Sequence, residues 1–229
     1  MLKKKIPVKS HTATHVKNNH EYLIDESSLY LSVGSGPVQE HRIIPQKQHH
    51  WISGYCWLTH QHSVTIDATE TDNHYHATPV TPAPCSLESA AVAIKKTTLI
   101  YAIHAFQTAS FFYKDTSITH SAAILDTQAT LIASGQDLST EHALYKAVGH
   151  WLNTNTPPIT MLMISGAITQ SIVQYAQHLG CYWIISRLAP THAAYTQAQA
   201  MGIGIIGFAR INRFSVFCLP PIHNAIIGS

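Results

Sequence analysis

The second half of the chain alternates short apolar runs with amphipathic segments. Residues 159–164 form a continuous apolar run, which is typical of a strand buried on both faces. Residues 169–179 follow with helical periodicity and end at Gly180, a residue that commonly terminates helices. The same alternation continues with strands at 181–185, 204–208 and 214–219 and a helix at 191–200. This order predicts right-handed crossovers and a mainly parallel core sheet.

The middle of the chain predicts two helices and a pair of strands. Residues 139–152 have helical periodicity and open with Ser and Thr, which are good N-cap residues. Residues 117–126 and 128–134 predict two strands joined by a tight turn. Residues 87–109 have helical content, and Ser86 is the N-cap candidate for that helix.

The first part of the chain has shorter and less regular patterns. Residues 22–33 alternate in part and stop at a Gly- and Pro-containing turn, which predicts a strand. Residues 50–60 are apolar and aromatic and fit either a short buried helix or a strand. Residues 64–68 predict another strand. Residues 69–86 are rich in proline and small polar residues, so we expect a linker there.

These patterns divide the chain into three parts. Residues 1–20 are polar and rich in Lys, His and Thr, and we expect a disordered or frayed tail. Residues 21–80 then form a β-rich N-terminal region, and residues 81–229 an α/β domain.

The composition restricts the class of protein. The chain is 45% hydrophobic, which is too much for a disordered protein. Only 11% of residues are charged and the formal net charge is +2, which argues against a general nucleic-acid binder. No apolar run reaches about 18 residues, and no apolar stretch follows the N-terminal lysines. We therefore expect a cytoplasmic protein without membrane spans.

Histidines and cysteines are the candidates for metal binding and nucleophilic chemistry. The 17 histidines show no zinc-ligand spacing, so no metal site is predicted. The cysteines, at 56, 85, 181 and 218, have no CxxC spacing, so a disulfide scaffold is not indicated. Cys85 lies in the proline-rich stretch, where a thiol could be exposed. Reactivity would further require a cation or a helix N-terminus nearby; otherwise each cysteine is a small buried hydrophobe.

Polar residues follow several of the predicted core strands. Ser165-Gly166, Ser186-Arg187 and the 208–210 segment come at the carboxyl ends of these strands. Ligands of open α/β sheets bind outside those ends, so these residues predict a binding site. The alternative is that they are ordinary loops between strands and helices.

Four segments together resemble a known family. Residues 117–125 (SITHSAAIL), 135–149 (GQDLSTEHALYKAVG), 186–193 (SRLAPTHA) and 206–217 (IGFARINRFSVF) are similar, in order and spacing, to the FdhD family of formate dehydrogenase accessory sulfurtransferases. The resemblance implies an α/β fold: a cytidine-deaminase-like mixed sheet with flanking helices, a smaller N-terminal β-rich part, and a homodimer.

The resemblance also implies a function. The family passes sulfur from a cysteine desulfurase to the molybdenum cofactor of formate dehydrogenase, using a cysteine pair in a mobile loop, and binds the guanine dinucleotide form of that cofactor. Here the only cysteine in the corresponding interval is Cys85, the implied sulfur carrier. The implied cofactor-binding positions are His120, Asp137, Lys146, Ser165, Ser186, Pro190, Thr191, Gly207, Phe208 and Arg210.

Departures from the family pattern leave two functions open. Thr140 and Gly166 stand where the family has arginines. The family's cysteine pair is absent, and its loop is shortened to the stretch that holds Cys85 alone. The first reading is an accessory protein in molybdenum-cofactor sulfuration. The second is a non-catalytic paralogue that binds a nucleotide, a cofactor or a partner protein. Because arginines bind phosphate in bidentate fashion, we expect GDP to bind weakly or not at all.

Overall fold

The computed structural model describes residues 2–68, 73–82, 93–154, 158–221 and 226–227. It begins with an antiparallel hairpin of β1 (Lys3–His11) and β2 (Val16–Ile24). The expectation of a frayed tail over residues 1–20 is therefore wrong for residues 3–20. Cross-strand backbone hydrogen bonds between two nine-residue strands order a segment whose composition alone suggests disorder.

A four-stranded sheet follows, in the order β4-β3-β6-β5. Its strands are β3 (Ser27–Val33), β4 (Gln39–Ile43), β5 (His62–Ala68) and β6 (His74–Pro82). Between β4 and β5 lies α1 (Gln48–Tyr55), which continues as a π-helical turn over Cys56–His60. The helical alternative for residues 50–60 is thus the correct one.

The linker expected over residues 69–86 is partly wrong, because residues 74–82 form β6. Pro79 is compatible with this strand since β3 pairs only with residues 74–77 of β6, and the register with β5 shifts close to Pro79. A proline is tolerated where one side of a strand has no partner or a bulge interrupts the ladder. The rest of the expected linker, with Cys85 and Ser86, lies outside the described residues.

A six-stranded mixed sheet forms the core of the second half, in the order β13-β12-β11-β10-β8-β9. The strands are β8 (His120–Leu125), β9 (Leu131–Asp137), β10 (Met161–Ile164), β11 (Trp183–Ser186), β12 (Gly204–Arg210) and β13 (Arg213–Cys218). Only β10, β11 and β12 run parallel, so the expectation of a mainly parallel sheet holds only for these three strands. The mixed α/β fold is confirmed. Short strands β7 (Ile94–Lys95) and β14 (Ile226–Ile227) pair separately.

Helices cover both faces of this sheet. They are α2 (Lys96–Ala109), α3 (Phe111–Thr116), α4 (Thr140–Leu152), α5 (Gln170–His178) and α6 (His192–Met201). The side chains of Ser139, Thr169 and Thr191 cap α4, α5 and α6, and the sequence predicts the cap at the start of residues 139–152. Helix α2 begins at Lys96 rather than at residue 87. Helices α1, α4, α5 and α6 share one apolar cluster, and α2 lies in another. No helix of the described residues is long and apolar enough to span a membrane.

Two glycines let α1 pack closely against α4. A Cβ added at Gly54 would lie 1.9 Å from the Tyr145 carbonyl oxygen, and one at Gly149 would lie 1.8 Å from the His50 carbonyl oxygen. Both distances are far below van der Waals contact, so the two helices approach to a separation that only glycine permits. This contact joins the N-terminal region to the α/β core.

Candidate functional site

A cleft of about 230 Å³ opens where β10, β11 and β12 end. The strand ends predicted to form a site therefore do meet at one edge of the sheet. The loop before β8 and one residue of α3 close the other side. The lining residues are Tyr113, Ser117, Ile118, Thr119, His120, Ser165, Arg187, Leu188 and Arg210.

His120 lies at the base of the cleft between two hydroxyl groups. Its Nδ1 is 3.1 Å from Thr140 Oγ1 and 3.3 Å from Ser165 Oγ. Ser165 Oγ also accepts a hydrogen bond of 2.9 Å from the backbone N–H of Ser121. Partial burial lowers the pKa of His120, which favours a neutral ring at pH 7. The imidazole is thus a neutral polar group, and the positive charge of the cleft comes from elsewhere.

That charge comes from two arginines on the opposite wall. The Arg187 guanidinium lies 5.4 Å from the centre of the Tyr113 ring. Arg210 donates from Nη1 to the carbonyl oxygens of Arg187, at 2.8 Å, and Ala209, at 2.9 Å. Partial burial, together with Arg187 and Arg213, lowers the pKa of Arg210, but a guanidinium stays protonated at neutral pH. The wall suits an anionic ligand.

Thr119 adds a buried hydroxyl to the cleft. The residue is 3% exposed, and its Oγ1 has no hydrogen-bond partner among the described residues. A buried hydroxyl without a partner is costly, because it has lost its hydrogen bonds to water. A polar ligand in the cleft would supply the missing partner. Sequence reasoning missed Thr119 and Tyr113; the position of Thr119 directly before His120 was the available signal.

Thr140 and Gly166, where the resemblance implies arginines, are direct neighbours. A Cβ added at Gly166 would lie 2.0 Å from Thr140 Oγ1 and 3.3 Å from His120 Nδ1. The space beside the imidazole that a side chain at residue 166 would need is therefore filled by the threonine hydroxyl. The two replacements form one local change.

Four of the candidate residues support the loops behind the cleft without lining it. The Ser186 hydroxyl donates to the carbonyl oxygen of Gly166 and accepts a 3.0 Å bond from the Leu188 N–H. Thr191 caps α6 by accepting from the Ala194 N–H, and Pro190 pairs with Ile168 in an isolated parallel bridge. Gly207 packs tightly, since a Cβ there would lie 2.5 Å from the Phe217 ring.

Asp137 and Lys146 form a buried ion pair that does not line the cleft. Asp137 Oδ2 lies 2.7 Å from Lys146 Nζ, and their side chains are 0% and 2% exposed. Asp137 Oδ1 accepts from the backbone N–H groups of Ile44 and Leu138, and Lys146 Nζ donates to the Ile44 carbonyl oxygen. Burial lowers the pKa of Lys146, and Asp137 opposes that shift. The pair thereby joins the segment after β4 to β9 and α4.

The described cysteines do not have the environment of a nucleophile. Burial raises the pKa of Cys56 to about 12 and raises that of Cys181 still further. Cys218 is half-buried, and its thiol donates to the Ile203 carbonyl oxygen. Since the thiolate is the reactive form, these environments disfavour sulfur chemistry. Cys85 lies outside the described residues. Within those residues no group of three metal-ligating side chains occurs.

Comparisons with known proteins identify the family. Residues 60–221 match the model of the FdhD/NarQ family. The chain is 33% identical over 115 residues to the sulfur carrier protein FdhD of Bacillus subtilis, which covers 50% of this chain and 44% of that protein. It is 36% identical over 115 residues to the protein of the same name from Staphylococcus haemolyticus. That match covers 50% of this chain and 43% of the relative. The matched segment thus spans less than half the length of these relatives.

A crystal structure shows the same fold. The structure of a protein from Desulfotalea psychrophila, described as a formate dehydrogenase accessory protein, superposes with a TM-score of 0.81 at 14% identity. The superposition covers 99% of this chain and 100% of that one, so the likeness includes the N-terminal strands and the core sheet. With a family match over most of its length, this chain belongs to the FdhD/NarQ family.

Proposed function

We propose that this chain is an accessory protein in molybdenum-cofactor sulfuration for formate dehydrogenase and acts in the cytoplasm as a homodimer. Its cargo is the guanine dinucleotide form of the cofactor, and the strand-end cleft binds the phosphates of that cargo. The observation that carries the proposal is the joint presence in one cleft of Arg187, Arg210 and a Thr119 hydroxyl that has no partner among the described residues.

The cleft suits a phosphate group in charge and in hydrogen-bonding capacity. Arg210 uses Nη1 on backbone carbonyls, so its guanidinium is fixed in place before a ligand arrives. Arg187 rests on the Tyr113 ring and supplies the second positive charge. A guanidinium offers several N–H donors in a planar fork that matches phosphate oxygens. Thr119 can donate its hydroxyl proton to another oxygen of the same group.

We expect the affinity for nucleotide to be low. Thr140 and Gly166 replace two arginines of the family pattern, and a hydrogen bond to a charged group contributes about 1.5–3 kcal/mol. Two such losses weaken binding by roughly two to four powers of ten. If family members bind GDP with micromolar affinity, this chain binds it in the high micromolar to millimolar range. Low-micromolar binding would mean that Arg187 and Arg210 bind the phosphates in place of the two missing arginines.

Calorimetry with GDP and with inorganic pyrophosphate tests the cleft. Arg187→Gln should weaken both ligands about tenfold, because it removes a charged donor without emptying the site. Arg42→Gln, at an exposed position of β4, is the matched control and should leave both affinities unchanged. Absence of binding at millimolar concentrations of both ligands would contradict the proposal.

Sulfur transfer would proceed through Cys85. In the proposed step the Cys85 thiolate attacks the outer sulfur of a persulfide on a cysteine desulfurase. A new S–S bond forms on Cys85, the S–S bond of the donor breaks, and the desulfurase cysteine leaves as a thiolate. Cys85 is the candidate because Cys56, Cys181 and Cys218 all have raised pKa values.

Intact-mass measurement after incubation with a desulfurase and free cysteine tests this step. A mass increase of one sulfur atom should occur on the natural chain and disappear in Cys85→Ser. Cys218→Ser is the control and should keep the adduct. An adduct that persists in Cys85→Ser would contradict the role of Cys85.

The second candidate is a non-catalytic paralogue that binds the cofactor, a nucleotide or a partner without carrying sulfur. The lone cysteine in the interval and the Thr140–Gly166 replacement favour it. Complementation separates the two candidate functions. The strain should lack its own FdhD-family accessory protein and, for that reason, formate dehydrogenase activity. Loss of function in Cys85→Ser supports the sulfur carrier, and an unchanged phenotype supports the binding module.

A further inference from the structure

The β1–β2 hairpin is a sheet of only two strands, and most of its residues are exposed. In β2 every residue from Val16 to Leu23 is exposed, including these two apolar ones. At its base Lys3 forms an ion pair with Asp115 of α3. A two-stranded hairpin is only marginally stable in water by itself. A further strand beside it would therefore stabilise this region.

The hydrogen bonds at the two ends of the hairpin show which backbone groups face outward. The Asp25 N–H donates to the Leu2 carbonyl oxygen at 2.9 Å, and the Thr12 N–H donates to that of His15 at 2.8 Å. Both pairs continue the unbroken β1–β2 register, so hydrogen-bonded pairs occur at every second position between them. The residues at the intervening positions direct their N–H and C=O groups away from the hairpin. In β2 these residues are Val16, Asn18, His20, Tyr22 and Ile24, and in β1 they are Lys3, Lys5, Pro7, Lys9 and His11.

The outer edges of the two strands differ in their protection against pairing. Pro7 lies in the middle of the outward positions of β1 and has no N–H to donate. Strand β1 also carries four lysines and no acidic residue. Proline and lysine are the residues by which natural sheets block an exposed edge. Strand β2 has no proline and carries one lysine and one glutamate, so its edge is open to another strand.

The open edge of β2 is complementary to itself. Its five outward residues are symmetric about His20, so an antiparallel second copy centred there gives every outward N–H and C=O group a partner. Asn18 then lies opposite Tyr22 of the partner subunit. Val16, which is 61% exposed in one chain, lies opposite the partner's Ile24. Pairing thus buries apolar side chains as well as completing the ladder.

The same register also pairs opposite charges. Lys17 lies diagonal to Glu21 of the partner subunit, a separation of about 7–8 Å that long side chains can span. Neither Lys17 nor Glu21 has an ion-pair partner among the described residues. The twofold axis produces this contact twice. Because the outermost strands are then the two protected β1 strands, the assembly closes as a dimer.

We propose that β2 pairs antiparallel with β2 of a second copy of this chain, with His20 opposite the partner's His20, to form a four-stranded sheet β1-β2-β2-β1. This inference rests on the homodimer of the proposed function and assigns its interface. The occupant is a second copy because one register satisfies the hydrogen-bonding groups and the charges of β2 together.

Proline substitution on each edge tests the interface by sedimentation equilibrium of the full chain. Asn18→Pro removes an outward N–H of β2 and leaves the bonds within the hairpin intact, so the dimer Kd should rise at least about tenfold. Lys9→Pro is the matched control, since Lys9 lies directly opposite Asn18 but on the β1 edge. It should keep the natural Kd. Thermal unfolding should give similar midpoints for both monomers.

A charge exchange tests the register without altering the backbone. Lys17→Glu places a carboxylate beside the partner's Glu21 and should weaken the dimer about fivefold, because like charges repel across a sheet. The double variant Lys17→Glu/Glu21→Lys restores opposite charges at both contacts and should return the Kd to near the natural value.

Three results would overturn the interface while leaving the homodimer in place. They are an unchanged Kd in Asn18→Pro, equal weakening by Asn18→Pro and Lys9→Pro, and failure of the double charge variant to recover. A natural chain that stays monomeric at every concentration would instead contradict the homodimer of the proposed function and this inference with it. Nucleotide binding in the cleft is measured separately by the calorimetry described above.

Discussion

The interface between the N-terminal region and the α/β core and the strand-end cleft use polar groups in opposite ways. At the interface Asp137 and Lys146 satisfy each other and the Ile44 backbone. In the cleft Thr119 Oγ1 has no hydrogen-bond partner among the described residues, and the Arg187 guanidinium lies over the ring of Tyr113. At the interface the charged groups of Asp137 and Lys146 have partners within the chain, whereas the cleft presents polar groups that can still bind a ligand. Similar residue types therefore act as structural groups in one region and as candidate ligand contacts in the other.

Breaking the buried ion pair should have the largest effect. Lys146→Met leaves the Asp137 carboxylate buried without its cation, and loss of one partner of such a pair costs about 3–5 kcal/mol. Denaturant unfolding measures this loss. The double variant Asp137→Leu/Lys146→Met removes both charges and should recover much of the stability. Equal destabilisation in both variants would indicate that packing, rather than the charge, matters at this position.

The close approach of α1 and α4 provides the next test. Gly149→Ala places a methyl group where the His50 carbonyl oxygen lies, so the helices must separate. Overpacking of this kind costs about 1–3 kcal/mol. Thermal unfolding should show a clearly lower midpoint, whereas Ser53→Ala on α1, which adds no bulk, should differ little. A midpoint for Gly149→Ala equal to that of the natural chain would contradict the close packing described above.

Acid should weaken the interface through two pairs of histidines. The rings of His50 and His150 stack with centroids 5.3 Å apart, and those of His41 and His142 lie 6.5 Å apart edge to face. Burial lowers all four pKa values below 6.5, and in each pair the positive charge of one ring disfavours protonation of the other. Lys47 adds to this effect at the first pair. The unfolded chain therefore binds more protons than the folded chain just below pH 6.5.

Stability should consequently be full above pH 6.5 and fall as the pH drops toward the lowered folded-state pKa values. Midpoints of thermal unfolding measured between about pH 5 and pH 8 test this. His50→Phe/His150→Phe keeps a ring pair without titration and should flatten the dependence. An unchanged slope in that variant would place the acid sensitivity elsewhere.

The smallest effect is expected at the cleft, where Thr140 and Gly166 are neighbours. Gly166→Ala places a methyl group at 2.0 Å from Thr140 Oγ1, and Thr140→Ser keeps the hydroxyl but removes the methyl group that restricts its movement. We expect Gly166→Ala to cost less in the Thr140→Ser background, with a coupling of about 0.5–3 kcal/mol in a double-mutant cycle. Additive effects would show that the two positions do not interact.

The candidate site was only partly accessible from the sequence. Ser165, Arg187 and Arg210 follow apolar runs that end at one sheet edge, so their convergence could be predicted. Asp137 and Lys146 both lie in residues 135–149, one of the segments that resemble the FdhD family, but nothing in their spacing shows that they face each other. Thr119 lies in the loop before β8, although the pattern predicts a strand over residues 117–126, and Tyr113 belongs to the short helix α3, so the pattern marked neither residue as a ligand contact.

The sequence by itself determined the order of core strands and helices after residue 117, because apolar period, N-cap residues and terminating glycines act over a few neighbours. Only the tertiary structure decided which polar residues form hydrogen bonds and ion pairs inside the fold. Whether Asp137 meets Lys146, or Thr119 is left without a hydrogen-bond partner among the described residues, depends on elements far apart in the chain. The same holds for residues 3–20 and for β6, whose order comes from cross-strand hydrogen bonds that local composition does not encode.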